Sequence, residues 1–378
     1  MSERGLVGVV LFMLALSAPV LGDVQFEGYY KNILLQSATV LPPAGRGYDL
    51  DISRLRLQMR ARPTDNLRFD IAYDNELWLG SYLDTTQFAM QRDQPPDTRF
   101  DLQQTTVDRQ QAFARHRLYR GYLSVALGDV DIRAGRQRIA WGTALLWNPM
   151  DILNPLNPLQ LEREERAGVD ALAVDWNYGA LSRLSLVAAS HQGGDTSSYA
   201  ARWQGNAGLF DYSLMSGRFR GDTISGFDFA GQIGQVGLRG EFTYSITLRD
   251  GEYRRFVVGA DYSVGDRLSL AIEYYFNGQG ATNPADYQFM RWLSGEIQSL
   301  GRHYLGGFLG YDFTPLLRWN SYLIANLDDG SVFGFHSLLY SLTDNLELTL
   351  GLQSQSGTAS SEFGRLQDLY YTQLQWFF

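Results

Sequence analysis

From Val24 onward the chain alternates apolar and polar residues with a period of two. In "LRFDIAYDNELW", Leu67, Phe69, Ile71 and Tyr73 alternate with Arg68, Asp70, Ala72 and Asp74. "LSLAIEYYFN" puts Leu268, Leu270, Ile272, Tyr274 and Phe276 on one face, with Ser269, Glu273 and Asn277 on the other. "LELTLGLQSQ" sets Leu346, Leu348, Leu350 and Leu352 against Glu347, Thr349 and Gln353. Strict alternation marks strands with one apolar and one polar face. It predicts about eighteen strands (16–18), near 24–35, 49–61, 67–78, 112–127, 129–141, 169–178, 182–191, 198–205, 208–220, 222–231, 235–248, 253–263, 267–277, 302–313, 316–327, 331–342, 345–354 and 367–378.

The links between these strands sort by length. Those after even-numbered strands are short, such as 63–66, 128–129, 265–266 and 343–345. The long ones, 36–48, 79–111, 142–168, 278–301 and 355–366, follow odd-numbered strands only. Short turns at one end and long loops at the other are the mark of a transmembrane antiparallel β-barrel, with short periplasmic turns and long extracellular loops. A sandwich does not segregate its turns by length, and a propeller would repeat near 40 residues, which this chain does not. The expected fold is all-β.

Composition agrees. The chain has 39 glycines, 22 tyrosines, 21 phenylalanines and 8 tryptophans among 378 residues and no cysteine. Mean hydropathy is −0.22. Aromatic content with a polar average means finely interleaved faces. The first 22 residues, with Arg4, an apolar run from Leu6 to Leu16, and Val20 and Gly22 before Asp23, read as a cleaved secretory signal. That leaves a 23–378 barrel of 378 − 22 = 356 residues, exported through the periplasm to the bacterial outer membrane. The last strand carries Tyr370, Leu374, Trp376 and Phe378 on one face and ends on phenylalanine. It resembles the signal read by the barrel-assembly machinery, which makes that machinery and outer-membrane lipid expected partners.

With the apolar face in lipid, the alternate residues face the lumen, and about eighteen strands leave an aqueous channel. The lumen face is then rich in charge: Arg54, Arg56 and Arg60, then Arg68, Asp70, Asp74 and Glu76, then Arg115, Arg117 and Arg120, then Arg133, Arg136 and Arg138, a last group whose parity depends on whether Gly135 forms a bulge. Lys31 is the only lysine, so 31 of the 32 basic residues are arginine. Two roles suit this wall: guanidinium–carboxylate bracing, and a basic track that concentrates anionic solutes. The far wall, with Arg239, Glu241, Arg255, Asp261 and Glu273, is milder.

Catalysis finds no foothold. His116, His191, His303 and His336 have no metal-ligand spacing, so no metal is expected. A lipase-like reading of His191 would need a serine on the lipid face beside it. No phosphate loop follows a strand, no haem-attachment sequence is present, and no cofactor is expected. A net charge of −9 argues against nucleic acid. Glu162 and Glu165, flanked by Arg163 and Arg166, read as salt-bridged helix residues.

The run "AGRQRIAWGTALLWNPMDILNPLNPLQLEREERAGVDAL" resembles the central block of outer-membrane porins of the alginate-export type and related porin-like barrels. Gly135, Gln137, Trp141, Gly142, Asn148, Pro149, Asp151, Asn154 and Pro155 carry the likeness, which covers roughly 50–180. The resemblance implies an 18-stranded passive channel, an arginine-lined lumen and loops folding over or into the pore. The acidic residues beside the arginines depart from it and weigh against polyanion export.

Three Asn-Pro pairs, Asn148-Pro149, Asn154-Pro155 and Asn157-Pro158, interrupt 142–168. Each reads as a helix cap followed by proline at the first helical position: one short turn from Asn148, a longer one from Asn157 through Arg166. The segment, with Trp141, Trp147, Asp151, Arg163, Glu164, Glu165 and Arg166, is expected to constrict or lid the pore. The function read from the sequence is a porin-like channel, not an enzyme, that passes small polar solutes by diffusion and favours anions. The alternatives are a polysaccharide-export porin and a structural sheath around a partner such as a periplasmic cytochrome. Such a barrel can also assemble as a homo-oligomer.

Overall fold

The computed structural model describes residues 23–94, 98–163, 165–166, 168–192 and 197–378; the signal segment 1–22 lies outside them. Its first strands are β1 (Val24–Ala38), β2 (Gly47–Thr64), β3 (Leu67–Leu79), β4 (Gln103–Arg109), β5 (Ala112–Leu127), β6 (Val130–Gln137), β7 (Val169–Gly179), β8 (Ser182–Ser190) and β9 (Ser198–Ala207). The second half holds β10 (Phe210–Phe219), β11 (Asp222–Ile233), β12 (Val236–Thr247), β13 (Gly251–Val264) and β14 (Leu268–Asn277). β15 (His303–Thr314), β16 (Leu317–Asn326), β17 (Val332–Thr343), β18 (Leu346–Ser356) and β19 (Leu369–Phe377) complete it.

Eighteen of these strands, all but β4, form an antiparallel ring. Each stave pairs with its sequence neighbours, and β1 pairs with β19 from Tyr29 opposite Phe377 to Gln36 opposite Tyr370. The seam is completed by Phe378, whose amide donates to the Gly28 carbonyl at 3.1 Å while the Gly28 amide returns the bond at 2.9 Å. Closure leaves no stave edge unpaired, the condition for a sheet to stand in hydrocarbon.

The chain departs from the expected strand list in the 79–111 link. β4 there pairs with the upper half of β5, Gln103 opposite Arg117, above the point where β6 leaves the sheet. A seven-residue helix, α1 (Thr86–Arg92), precedes it, with the Thr85 hydroxyl accepting from the Phe88 amide at 3.2 Å. Neither shows in the pattern: β4 is exposed along most of its length and needs no apolar face, and α1 is too short to set a helical period.

The outer face is apolar around the ring. Leu34, Trp176, Leu186, Leu214, Phe227, Val258, Ile272, Leu323, Leu350 and Leu374 are all exposed. A continuous apolar belt of this kind is untenable in water and fits a bilayer. Among the described residues no helix is long and apolar enough to cross a membrane. Tyr370, Leu374, Trp376 and Phe378 are exposed on the final strand and its end.

Three buried apolar clusters lie inside the ring. One groups Trp141, Met150 and Leu153 with Val187, Met215 and Phe219. Another groups Leu146 and Trp147 with Tyr275, Tyr304, Tyr322 and Phe333, and a third joins Trp78, Phe88 and Phe113, with Leu161 packed against it. All three take residues from the link between β6 and β7, so the interior packing of this barrel is built around that link.

Leu350→Arg, in the middle of an outward-facing row, should destabilise the barrel by about 2–4 kcal/mol, read as a shift of the urea midpoint during reversible folding into lipid vesicles.

Candidate functional site

The 138–168 segment runs around the inside of the barrel as a strap held against the wall. The amides of Thr143 and Ala144 donate to Glu241 Oε1 on β12 at 2.6 and 2.8 Å, and the Met150 amide donates to Oε2 at 3.0 Å. The amides of Leu145 and Leu146 donate to Glu273 on β14 at 2.6 and 2.8 Å. Trp147 stacks on Tyr275 with centroids 5.2 Å apart, and lies 5.9 Å from Tyr304 on β15. Further along, the Tyr322 hydroxyl on β16 donates to the Pro158 carbonyl at 2.7 Å, and Gln353 Nε2 on β18 to the Leu159 carbonyl at 3.2 Å.

The strap ends in a clasp. Glu162 accepts two bonds from Arg54, at 2.8 and 2.9 Å, and one from Lys31 at 3.0 Å. Glu165 accepts from Arg56 at 2.7 Å and from the Tyr29 hydroxyl at 2.8 Å. The Tyr119 hydroxyl on β5 then donates to the Arg166 carbonyl at 2.7 Å. Contacts on β12, β14, β16, β18, β1, β2 and β5 carry the strap round most of the circumference before the chain enters β7.

Irregular backbone at membrane depth is tolerated only where its polar groups find partners in protein or water. Two wall carboxylates take five strap amides, and the three prolines remove three more donors. Asparagine side chains replace further backbone bonds: Asn154 Oδ1 accepts from the Ile139 amide at 2.8 Å, and Asn157 Oδ1 from the Leu159 amide at 3.0 Å. Close approach is secured by glycine. Gly142, at φ 103°, would place a Cβ 2.6 Å from Glu241 Oε1, and a Cβ on Gly306 would overlap Leu146 and Trp147.

These bonds explain two departures from the sequence expectation. The described part of 142–168 contains turns and no helix. The Met150 amide, which a helix after Asn148 would use, is held by Glu241 instead, and the Asp151 amide closes a single turn on the Asn148 carbonyl at 3.0 Å. Glu162 and Glu165 do not pair with Arg163 and Arg166. They pair with wall cations, while Arg166 binds Asp151 at 2.5 Å and the Asn154 carbonyl at 2.9 Å.

The wall arginines fall into two groups. In the first, Arg54 and Arg56 are 6% and 4% exposed, and besides the strap they bind Glu76 at 3.0 Å and Asp74 at 2.6 Å. Glu76 also accepts from Arg115 at 2.7 Å and Arg117 at 3.1 Å. Arg60 reaches Glu27 at 2.5 Å and Asp70 at 3.5 Å, and Arg68 reaches Asp70 at 2.6 Å. Arg136 binds Asp170 at 2.9 Å and the Phe100 carbonyl at 2.6 Å. With no register shift in β6, Arg136 and Arg133 lie on opposite sides of the sheet: Arg133 pairs with Asp175 at 3.0 Å, and Arg136 sits in the seam under the 98–102 segment. Arg138 stands at the start of the strap.

In the second group, Arg120, Arg163 and Arg255 have no carboxylate partner among the described residues, and each has a buried Nε without a hydrogen bond. A register shift opposite Ala72 and Tyr73 makes Tyr119 the extra residue of a bulge and turns Arg120 inward beside Arg117. Arg163 donates to the Leu145 carbonyl at 2.7 Å and lies 4.8 Å over the Tyr322 ring. Arg255 sits 5.6 Å over Tyr253. Glu164 lies outside the described residues.

Two cavities flank the turn at Leu153 to Pro155. One of about 550 Å³ is bordered by Arg115, Arg117, Tyr119, Gln160 and Arg166. The other, of about 380 Å³, is bordered by His191, Tyr253, Arg255, Gln279 and Arg291. Sequence reading had placed Glu241 and Glu273 on the lumen wall without assigning them the strap. A usable signal was there: Glu273 faces Gly259 on β13 and Gly306 on β15, an acid with cleared space on both sides.

An apolar-belted closed barrel of eighteen staves with an inward strap has the porin fold. Solved structures bear this out. The BenF-like porin from Pseudomonas fluorescens aligns with TM-score 0.62 at 11% identity, covering 95% of this chain and 99% of that one. OccK2 (OpdF) from Pseudomonas aeruginosa, solved in complex with glucuronate, aligns at 0.60 and 11% over 96% and 98%. OpdK from the same organism, solved with vanillate, aligns at 0.58 and 11% over 94% and 98%. No family model and no curated protein matches the chain. The likeness is to porin-like barrels and lends no support to the alginate-export branch in particular.

The clasp is pH-dependent. Burial alone would raise the Glu165 carboxyl; Arg56, Lys31 and the Tyr29 hydroxyl outweigh it and hold it at about 2. A depressed carboxyl stabilises above its ordinary range and loses that contribution as pH falls through the depressed value. Amide exchange in 157–166, normalised for intrinsic rate, should therefore stay slow from pH 7 to about 4 and accelerate as pH falls toward about 2. In Glu162→Gln/Glu165→Gln it should already be fast at neutral pH.

Proposed function

We propose that the chain is a diffusion channel of the bacterial outer membrane for small anionic solutes, carboxylates foremost, with the strap as its constriction. The observation that carries this reading is the division of the lumen arginines. Arg54, Arg56, Arg115 and Arg117 are neutralised by Glu76, Asp74 and the strap carboxylates, so they brace the wall. Arg120, Arg163 and Arg255 keep uncompensated positive charge on β5, the strap and β13. Fixed cations in a low-dielectric wall raise the local concentration of anions and leave cations at a disadvantage. Glucuronate and vanillate, the ligands of two porins of the same fold, are both small carboxylates.

Residues 1–22 serve in this reading as the export signal, and Tyr370, Leu374, Trp376 and Phe378 as the assembly signal. The strap's occupation of the wall disfavours a sheath around a threaded protein. Pairing with Asp74, Glu76 and Asp228 leaves few wall arginines uncompensated, and so few charges to hold a long polyanion, which disfavours that alternative.

Planar-bilayer recordings test the proposal. Wild-type protein should pass current with a chloride-to-potassium permeability ratio above one. An accessible charge acting at about 4 Å in water is worth about 1 kcal/mol, so Arg120→Gln, Arg163→Gln and Arg255→Gln should each lower the ratio up to about fivefold. Arg60→Gln, whose charge is already compensated, should change it little. Absence of any open-channel current in any salt would defeat the channel reading, and an unchanged ratio in all three variants would defeat the anion preference.

A further inference from the structure

The long-loop rim carries one outward-facing basic surface that the pore does not use. On β10, Ser213, Met215 and Phe219 are buried against the interior, so Leu214, Ser216 and Arg218 point out of the barrel. On β13, Tyr253 and Arg255 border an inner cavity, so Glu252 and Arg254 point out. Strand register aligns these positions. Ser216 faces Ser225, Ser225 faces Tyr244, and Tyr244 faces Arg254; one step nearer the rim, Arg218 faces Thr223.

The surface has two layers. Below lies a row of paired apolar residues, Leu214, Phe227, Phe242 and Phe256, in which the Phe227 and Phe242 rings stack at 5.6 Å. Above it sits a row of hydroxyls: Ser216 and Ser225, hydrogen-bonded at 2.8 Å, and Tyr244, bonded to Glu252. Exposed guanidiniums end the rows: Arg218, which has no polar partner among the described residues, and Arg254, whose guanidinium lies 5.9 Å from the Tyr244 ring. Three strand spacings separate their strands, on the order of 15 Å.

We propose that this face of β10–β13 binds anionic lipids of the outer leaflet through their headgroup phosphates, with acyl chains on the aromatic row and phosphate oxygens on Arg218 and on Arg254. Arginine suits the task, because its planar fork meets phosphate with two parallel bonds. Fixed cations at the headgroup boundary attract anionic lipid. The hydroxyl row offers donors to the remaining oxygens. The surface commits to lipid over soluble phosphate because the guanidiniums stand directly above an apolar row that only acyl chains would cover.

Native mass spectrometry of the purified barrel with phosphatidic acid and phosphatidylcholine tests this. Wild-type protein should retain phosphatidic acid in preference, and added inorganic phosphate should not displace it. Arg218→Gln/Arg254→Gln should lower that retention about tenfold. Arg218→Lys/Arg254→Lys should keep most of it, and Arg318→Gln, a lumen arginine paired with Asp312, should keep all of it. The glutamine variant should still run as a folded, heat-modifiable barrel and pass wild-type current, which separates this outcome from the channel reading. Equal retention by the glutamine variant, no preference over phosphatidylcholine, or full displacement by inorganic phosphate would overturn the proposal.

Discussion

The interior of this barrel hangs on a small set of charge-assisted bonds: Lys31, Arg54 and Arg56 on the wall, against Glu162 and Glu165 at the end of the strap. A closed sheet with its apolar face in lipid has no core of its own. The strap supplies one, feeding Met150, Leu146, Trp147 and Leu161 into three clusters that would otherwise be open wall. Unclasped, it would expose leucines to water and a line of backbone amides to a partly desolvated lumen. Each such amide left unpaired costs about 1–3 kcal/mol, so the clasp, Glu241 and Glu273 act as one device.

Burying so much charge has a cost that only mutual compensation offsets. Arg54, Arg56, Asp74 and Glu76 are each at most 6% exposed and each touch at least one opposite charge. That economy separates two jobs that the same residue type performs here. Compensated arginines hold shape and contribute little field in the channel. Those with only aromatic faces or carbonyls for company retain their charge, and they are spread over three places: β5, the strap and β13. The outer surface repeats the division, with Arg218 and Arg254 uncompensated at the rim.

Strand positions were legible because each strand stands between lipid and water, which forces a period of two, and because turns and loops segregate by length. The bulge in β5 went unread, and the one considered at Gly135 is absent, because β6 keeps its register with both neighbours. The 79–111 link was opaque: α1 and β4 take their stability from the lumen wall and from β5, and neither leaves a period in the sequence. The strap was visible as a feature, since prolines and leucines fit neither a strand nor a solvent loop. Its helical reading failed because local capping signals say nothing of a competing acceptor. Glu241 and Glu273 lie about a hundred residues away and take the amides first.

What the sequence determined by itself is the barrel: its closure, its lipid-facing side, the end that bears long loops and the charge in its lumen. Those follow from constraints acting residue by residue, repeated along every strand. Only the tertiary structure decided which arginines are spent on bracing and which remain charged, because compensation depends on partners on neighbouring strands and at the far end of the strap. Glu162 and Arg54 are separated by 108 residues, and no local pattern records that they meet.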